Sequence, residues 1–123
     1  VALGVMMGRK GRSKEEVKEK LESLFGYDLS QRLDNIRLNY TFNPTCQGSV
    51  PQAIIAFLES TDFEDAIRNS ISLGGDADTQ ACITGSLAEA HYKIIPEEIA
   101  SFVRWRIEDH LLAVLDQFNS ITK

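Results

Sequence analysis

Helical spacing of apolar residues is the feature of this chain that most restricts its fold. Val17 and Leu21 lie four residues apart and share one face of a helix. Ser13 and Glu16 before them have the pattern of a capping box, and Gly26 stands where a C-terminal cap is expected. No segment sustains the two-residue alternation of a half-buried strand. The sequence therefore predicts an all-α fold, a compact domain of about six or seven helices.

Further helices are predicted around residues 30–38, through 79–92 and through 111–118. Another has Ser49 as its N-cap and Pro51 in its first turn, and two more begin after Asp62 and at Pro96. The helix through 79–92 carries several small residues, which allow neighbouring backbones to approach closely. We expect this helix at the centre of the fold. Apolar side chains expected to face inward elsewhere include Ile71, Phe102 and Val103.

Charge and composition exclude several classes of protein. The net charge of −5 argues against a protein that binds nucleic acid through phosphate contacts. No apolar run approaches the roughly 20 residues that span a bilayer. Cys46 and Cys82 are far apart and form no CxxC pattern, so we expect free thiols in a reducing, cytoplasmic compartment.

The first seven residues, Val1 to Met7, are mostly apolar and lack the basic start and cleavage pattern of a signal peptide. They are typical of the end of a buried helix that begins upstream. We therefore expect the chain to be a piece of a longer protein.

The segment with the most chemistry is Asp76-Ala77-Asp78-Thr79, which follows Leu73-Gly74-Gly75 directly. Two carboxylates and a hydroxyl within four residues suit a hard cation such as Mg²⁺ or Mn²⁺. A helix that starts here also favours ionised carboxylates. The simpler interpretation is that Asp78 only caps a helix and that Asp76 is a solvated loop residue.

Other motifs fit this segment less well. An EF-hand loop starting at Asp76 requires Gly and Glu where Ala81 and Leu87 stand. An aspartyl phosphatase requires Thr or Val at Gln80. The metal-binding DxD of a glycosyltransferase remains open, although it expects an α/β frame that this sequence does not predict.

The stretch from Leu73 to Thr79, with Gly85 and Glu89-Ala90 after it, resembles the C-terminal metal motif of the ADP-ribosylglycohydrolases. Ser49-Val50-Pro51 and Ile95-Pro96 also look like that family. The similarity covers residues 45–110 well and the first 40 loosely. It implies that residues 1–123 are the C-terminal part of an all-α domain about twice as long.

The resemblance implies a hydrolase that cleaves the N- or O-glycosidic bond of ADP-ribose to an acceptor. The metal ligands would be Asp76, Asp78 and Thr79, in a site of two Mg²⁺ or Mn²⁺ ions, and both aspartates would be catalytic. Ser49, Gly74 and Gly75 would bind substrate.

The family's other ligands come from a Thr/Ser-Asp-Asp cluster, and this sequence has no Asp-Asp pair. We therefore expect the chain to be inactive alone and to self-associate or to pair with a separate half. The alternative is a non-enzymatic ADP-ribose-binding or helical interaction protein that retains the fold. A helical scaffold without any ligand is a third interpretation.

Overall fold

The computed structural model describes residues 1–122, which form eight α-helices and no strand. The all-α prediction is therefore confirmed for this part of the chain, with one helix more than expected. The helices are α1 (Ala2–Arg9), α2 (Lys14–Phe25), α3 (Leu33–Asn39), α4 (Cys46–Leu58), α5 (Phe63–Ile71), α6 (Ala77–Tyr92), α7 (Glu97–Arg106) and α8 (Asp109–Thr122).

Local sequence signals determine several helix ends. The Ser13 hydroxyl accepts the N–H of Glu16, and the Glu16 carboxylate accepts the N–H of Ser13 at 2.8 Å, so the capping box forms. Gly26 ends α2 in the left-handed conformation, at φ 68°. Asp62 caps α5 by accepting the N–H of Asp65 at 2.8 Å. These ends agree with the prediction.

The central helix is α6, which packs against α1, α4 and α5. Its small residues permit this, because a Cβ at Gly85 would lie 3.1 Å from the Ile67 side chain of α5. Thr84 is fully buried and donates to the Ala53 carbonyl of α4 at 2.8 Å. Leu87, also on α6, lies in the main hydrophobic core with residues of α2, α3 and α4. The predicted central position of this helix is therefore confirmed.

The start of α4 differs from the prediction, which placed it at Pro51 with Ser49 as the N-cap. The helix begins at Cys46, and the Thr45 hydroxyl caps it by accepting the N–H of Gly48 at 3.1 Å. Pro51 therefore lies in the second turn, where it removes one backbone hydrogen bond. The helix nevertheless starts more than a full turn before the proline, with the Thr45 hydroxyl as its cap.

The helices α7 and α8 are less buried than expected. Neither Phe102 nor Val103 lies in the core, since they are 57% and 46% exposed, and no residue of α7 is fully buried. Ile71, at the end of α5, is also exposed, as are Leu111 and Phe118 of α8. The inward assignments of Ile71, Phe102 and Val103 were wrong, because helical spacing identifies an apolar face but not the partner that covers it. None of the described helices is long and apolar enough to cross a membrane.

Candidate metal site at the start of α6

The glycine pair before α6 turns the chain sharply between two packed helices. Leu73 is buried and anchors the segment after α5. Gly74 adopts φ 73°, a left-handed conformation that favours glycine, and a Cβ there would meet nothing within 4 Å. Gly75 instead lies flat against the ring of Tyr40, so a side chain at Gly75 would collide with that ring. One glycine is thus needed for the turn and the other for close approach.

The two aspartates of the motif lie together at the start of α6. Asp76 occupies the N-cap position, yet its side chain makes no capping hydrogen bond. It lies against Asp78, which also accepts the N–H of Thr79 at 2.9 Å. The pKa of Asp78 is lowered, first by a hydrogen bond with the Asp76 carboxyl and then by backbone N–H groups. Asp76 rather than Asp78 thus occupies the N-cap position, although Asp78 accepts an N–H group of the first turn.

The motif side chains differ in their access to solvent. Asp78 and Thr79 are exposed, while Asp76 is partly buried. Two adjacent carboxyls and a neighbouring hydroxyl supply oxygen donors of the kind that Mg²⁺ and Mn²⁺ prefer. Within residues 1–122, no three His, Cys, Asp or Glu side chains cluster closely enough to hold a metal ion. The donor set therefore suits part of a hard-cation site and needs further ligands to complete a shell.

Behind the motif lies a chain of hydrogen bonds centred on Tyr40. The Tyr40 hydroxyl accepts the side-chain N–H of Gln80 at 2.8 Å and donates to the Gly48 carbonyl at 2.7 Å. Gln80 is fully buried, and its side-chain oxygen has no hydrogen-bond partner. The pKa of Tyr40 is raised, first by burial, while the negative charge of Asp76 acts in the same direction. This chain of contacts brings the first turn of α4 close to the first turn of α6.

Ser49 lies beside this network but is not freely available to a ligand. It is 5% exposed, and its hydroxyl donates to the Thr45 carbonyl at 2.7 Å. Its neighbour Gly48 holds the Tyr40 hydroxyl. The structure therefore brings the predicted substrate residues Ser49 and Gly75 to the same part of the fold, with Tyr40 between their segments.

The histidines lie away from the motif. His91 is near the opposite end of α6, where its ring meets Phe57 edge to face at 5.5 Å. His110 is exposed and lies 3.4 Å from Glu108. Within residues 1–122, neither histidine has a contact that connects it with the aspartates.

A family model described as ADP-ribosylglycohydrolase matches residues 2–121. The chain belongs to the ADP-ribosylglycohydrolase family. This match covers nearly the whole sequence and so extends well beyond residues 45–110, where the resemblance is strongest. Searches of curated proteins and of solved structures gave no match.

Sequence reasoning missed two residues of this candidate site, Tyr40 and Gln80. They are 40 positions apart, and no local motif connects them. Gln80 gave a weak signal, because it is a long polar residue directly after Thr79 in a helix that is otherwise rich in small residues. Tyr40 gave none, since it lies beyond the helix predicted around residues 30–38 and belongs to none of the motifs.

Proposed function

We propose that Asp76, Asp78 and Thr79 are metal ligands in an enzyme that hydrolyses the N- or O-glycosidic bond between ADP-ribose and an acceptor. The observation that carries this proposal is the position of Asp76, Asp78 and Thr79 together at the solvent-accessible start of α6, where the Asp76 side chain makes no capping hydrogen bond. Membership of the ADP-ribosylglycohydrolase family supports the substrate class. The metal is Mg²⁺ or Mn²⁺.

The number of ligands indicates that this chain supplies only part of the site. Mg²⁺ prefers six oxygen ligands in near-octahedral geometry, and the motif offers three side chains. The complete site holds two ions, and its remaining ligands come from a Thr/Ser-Asp-Asp cluster that this sequence does not contain. The chain by itself is therefore inactive.

The chemistry explains why carboxylates are suited to this position. When bound, paired divalent cations orient substrate oxygens and activate water. Cleavage at the anomeric carbon passes through an oxocarbenium-like transition state, in which positive charge develops on the ribose ring. As ligands, Asp76 and Asp78 would hold the cations where the attacking water can be oriented toward the anomeric carbon. We assign the catalytic role to these two residues.

The substrate lies along the glycine turn. The open space beside Gly74 allows a ligand to approach the backbone, which a side chain at that position would hinder. Gly75 and the first turn of α4, which includes Ser49, form the adjoining wall. Because Ser49 is buried and its hydroxyl already donates to the Thr45 carbonyl, Ser49 shapes this wall rather than forming a hydrogen bond with the substrate.

Calorimetric titration with Mg²⁺ and Mn²⁺ tests the metal ligands. We expect the wild-type chain to bind with millimolar or tighter affinity and the Asp76→Asn/Asp78→Asn variant to lose this binding. The matched control is Glu97→Gln/Glu98→Gln, which neutralises two exposed acidic residues in the first turn of another helix, α7. Equal binding by both double variants would refute the ligand assignment.

An activity assay tests the incomplete site. We expect the chain alone to release no ADP-ribose from an ADP-ribosylated peptide in the presence of Mg²⁺. Release that depends on Asp78 would show that three ligands with water are sufficient, and the partial-site proposal would then be wrong.

The second candidate function is a non-enzymatic ADP-ribose-binding or helical interaction protein, and the exposed apolar surface of α7 and α8 favours it. Phe102, Trp105, Val114 and Ile121 are each more than half exposed. Apolar surface of this kind promotes association, so we propose that the chain self-associates. Light scattering at increasing concentration tests this, and a monomer throughout would contradict it. Binding of free ADP-ribose without any divalent cation distinguishes a binding protein from the hydrolase.

A further inference from the structure

We infer that Tyr40 and Gln80 are positioning residues that hold the Gly74–Asp76 segment in place for cation binding. This inference rests on the proposed function, because it assigns a purpose to a contact behind the proposed ligands. Neither residue touches the cation or the substrate. They act through the backbone of the segment that carries Asp76.

Gln80 is attached to this segment in two ways. Its backbone N–H donates to the Asp76 carbonyl at 2.9 Å, which is the first hydrogen bond of α6. Its side-chain N–H donates to the Tyr40 hydroxyl at 2.8 Å. A shift of Gln80 would therefore move the carbonyl of Asp76 and break the contact with Tyr40 together.

Tyr40 supports the same segment from the other side. Its ring packs directly on Gly75, the residue before Asp76, so closely that no Cβ fits between them. Its hydroxyl donates to the Gly48 carbonyl at 2.7 Å and thereby connects the segment with the first turn of α4. The segment that precedes Asp76 is thus held by packing and by hydrogen bonds through a single side chain.

Fold stability alone does not account for a glutamine at position 80. The residue is fully buried, and its side-chain oxygen has no partner. A buried acceptor without a partner is destabilising, and an apolar residue of similar shape, such as methionine, would avoid it. What methionine cannot provide is the N–H that holds Tyr40. The role of Gln80 is therefore to hold Tyr40 in position and, through Tyr40, the Gly74–Asp76 segment.

Gln80→Met separates positioning from stability. We expect this variant to melt no lower than the wild type, to bind Mg²⁺ about tenfold more weakly, and to exchange the backbone amides of residues 74–80 faster. Tyr40→Phe should change affinity and exchange in the same direction. The control is Thr84→Val, which removes a buried hydrogen bond of the same helix one turn further on and should change neither affinity nor the exchange of this segment.

Hydrogen exchange decides the inference independently of the metal. If Gln80→Met leaves exchange of residues 74–80 unchanged, or if Thr84→Val accelerates it equally, the positioning role is refuted. If the wild type binds no Mg²⁺ or Mn²⁺, the proposed metal site fails, while the exchange comparison still shows whether Tyr40 and Gln80 hold the segment. If Tyr40→Phe does not fold, Gln80→Met alone gives the answer.

Discussion

Lys14 connects three helices of the core, and its replacement provides a quantitative test of the packing. It begins α2, but its ammonium group donates to the Leu58 carbonyl at 3.3 Å, to the Ser60 carbonyl and to the Tyr92 hydroxyl at 2.7 Å. The first two acceptors lie at the end of α4, where the helix dipole favours a cation. The ammonium group also lies 5.1 Å from the ring centres of both Phe57 and Tyr92.

These contacts give the expected cost of Lys14→Met. A hydrogen bond from a charged donor contributes about 1.5–3 kcal/mol, and a partly buried cation–π contact contributes about 1 kcal/mol. The loss is smaller than the sum, because the Tyr92 hydroxyl still donates to the Ser60 carbonyl at 2.8 Å. Removal of a cation from the first turn of α2 also recovers about 0.5 kcal/mol. We therefore expect the free energy of unfolding to fall by about 3 kcal/mol.

Thermal unfolding followed by circular dichroism measures this change. For a domain of this size, about 3 kcal/mol corresponds to a decrease of about 10 °C in the melting temperature. The control is Lys20→Met, which makes the same chemical change at an exposed position of the same helix. If Lys14→Met melts within about 2 °C of the control, the ammonium contacts do not hold these helices together and the reasoning fails.

Two further predictions concern a titrating group and a tight contact. The pKa of His91 is lowered, mainly by burial and then by the charge of Lys14, so the unfolded chain binds more protons than the folded one as pH falls. The contribution of neutral His91 to stability is fully present above the ordinary histidine pKa of about 6.5 and is lost below it. The urea midpoint of the wild type should therefore fall between pH 7.5 and pH 5.5, and that of His91→Gln should fall less. Gly75→Ala should lower the free energy of unfolding by about 1–3 kcal/mol, because the new methyl group collides with the Tyr40 ring. Gly11 has open space around it, so Gly11→Ala should cost only the backbone strain of about 1–2 kcal/mol. A midpoint of Gly75→Ala in chemical denaturation equal to that of the wild type would contradict the steric argument.

The helix ends that depend on residues adjacent in the sequence could be predicted from the sequence. The cap at Ser13, the helix end at Gly26 and the start of α5 after Asp62 all agree with the structure. Each of these signals is a hydrogen bond or a backbone conformation within a few residues. The start of α4 is the exception, because Pro51 gave a local signal for a helix start, whereas the helix begins at Cys46 with Thr45 as its cap.

The candidate site could be predicted in part. The motif itself identified Asp76, Asp78 and Thr79, and their role as metal ligands remains a prediction. The structure adds that the two carboxyls lie together and that Asp76, rather than Asp78, occupies the N-cap position. For Ser49, the sequence placed the residue near the site but assigned it the wrong capping role, since its hydroxyl bonds to Thr45 from within the helix.

By itself, the sequence determined the all-α class and the central place of the small-residue helix, and it identified the segment predicted to bind metal. These follow from helical periodicity, from residue size and from groups adjacent in the chain. Only the tertiary structure decided which apolar faces are covered, as the exposure of Phe102 illustrates, and which side chain supports the motif. Tyr40 and Gln80 meet across 40 positions because separate helices pack together. No local pattern records such a contact, since it depends on the arrangement of the whole core.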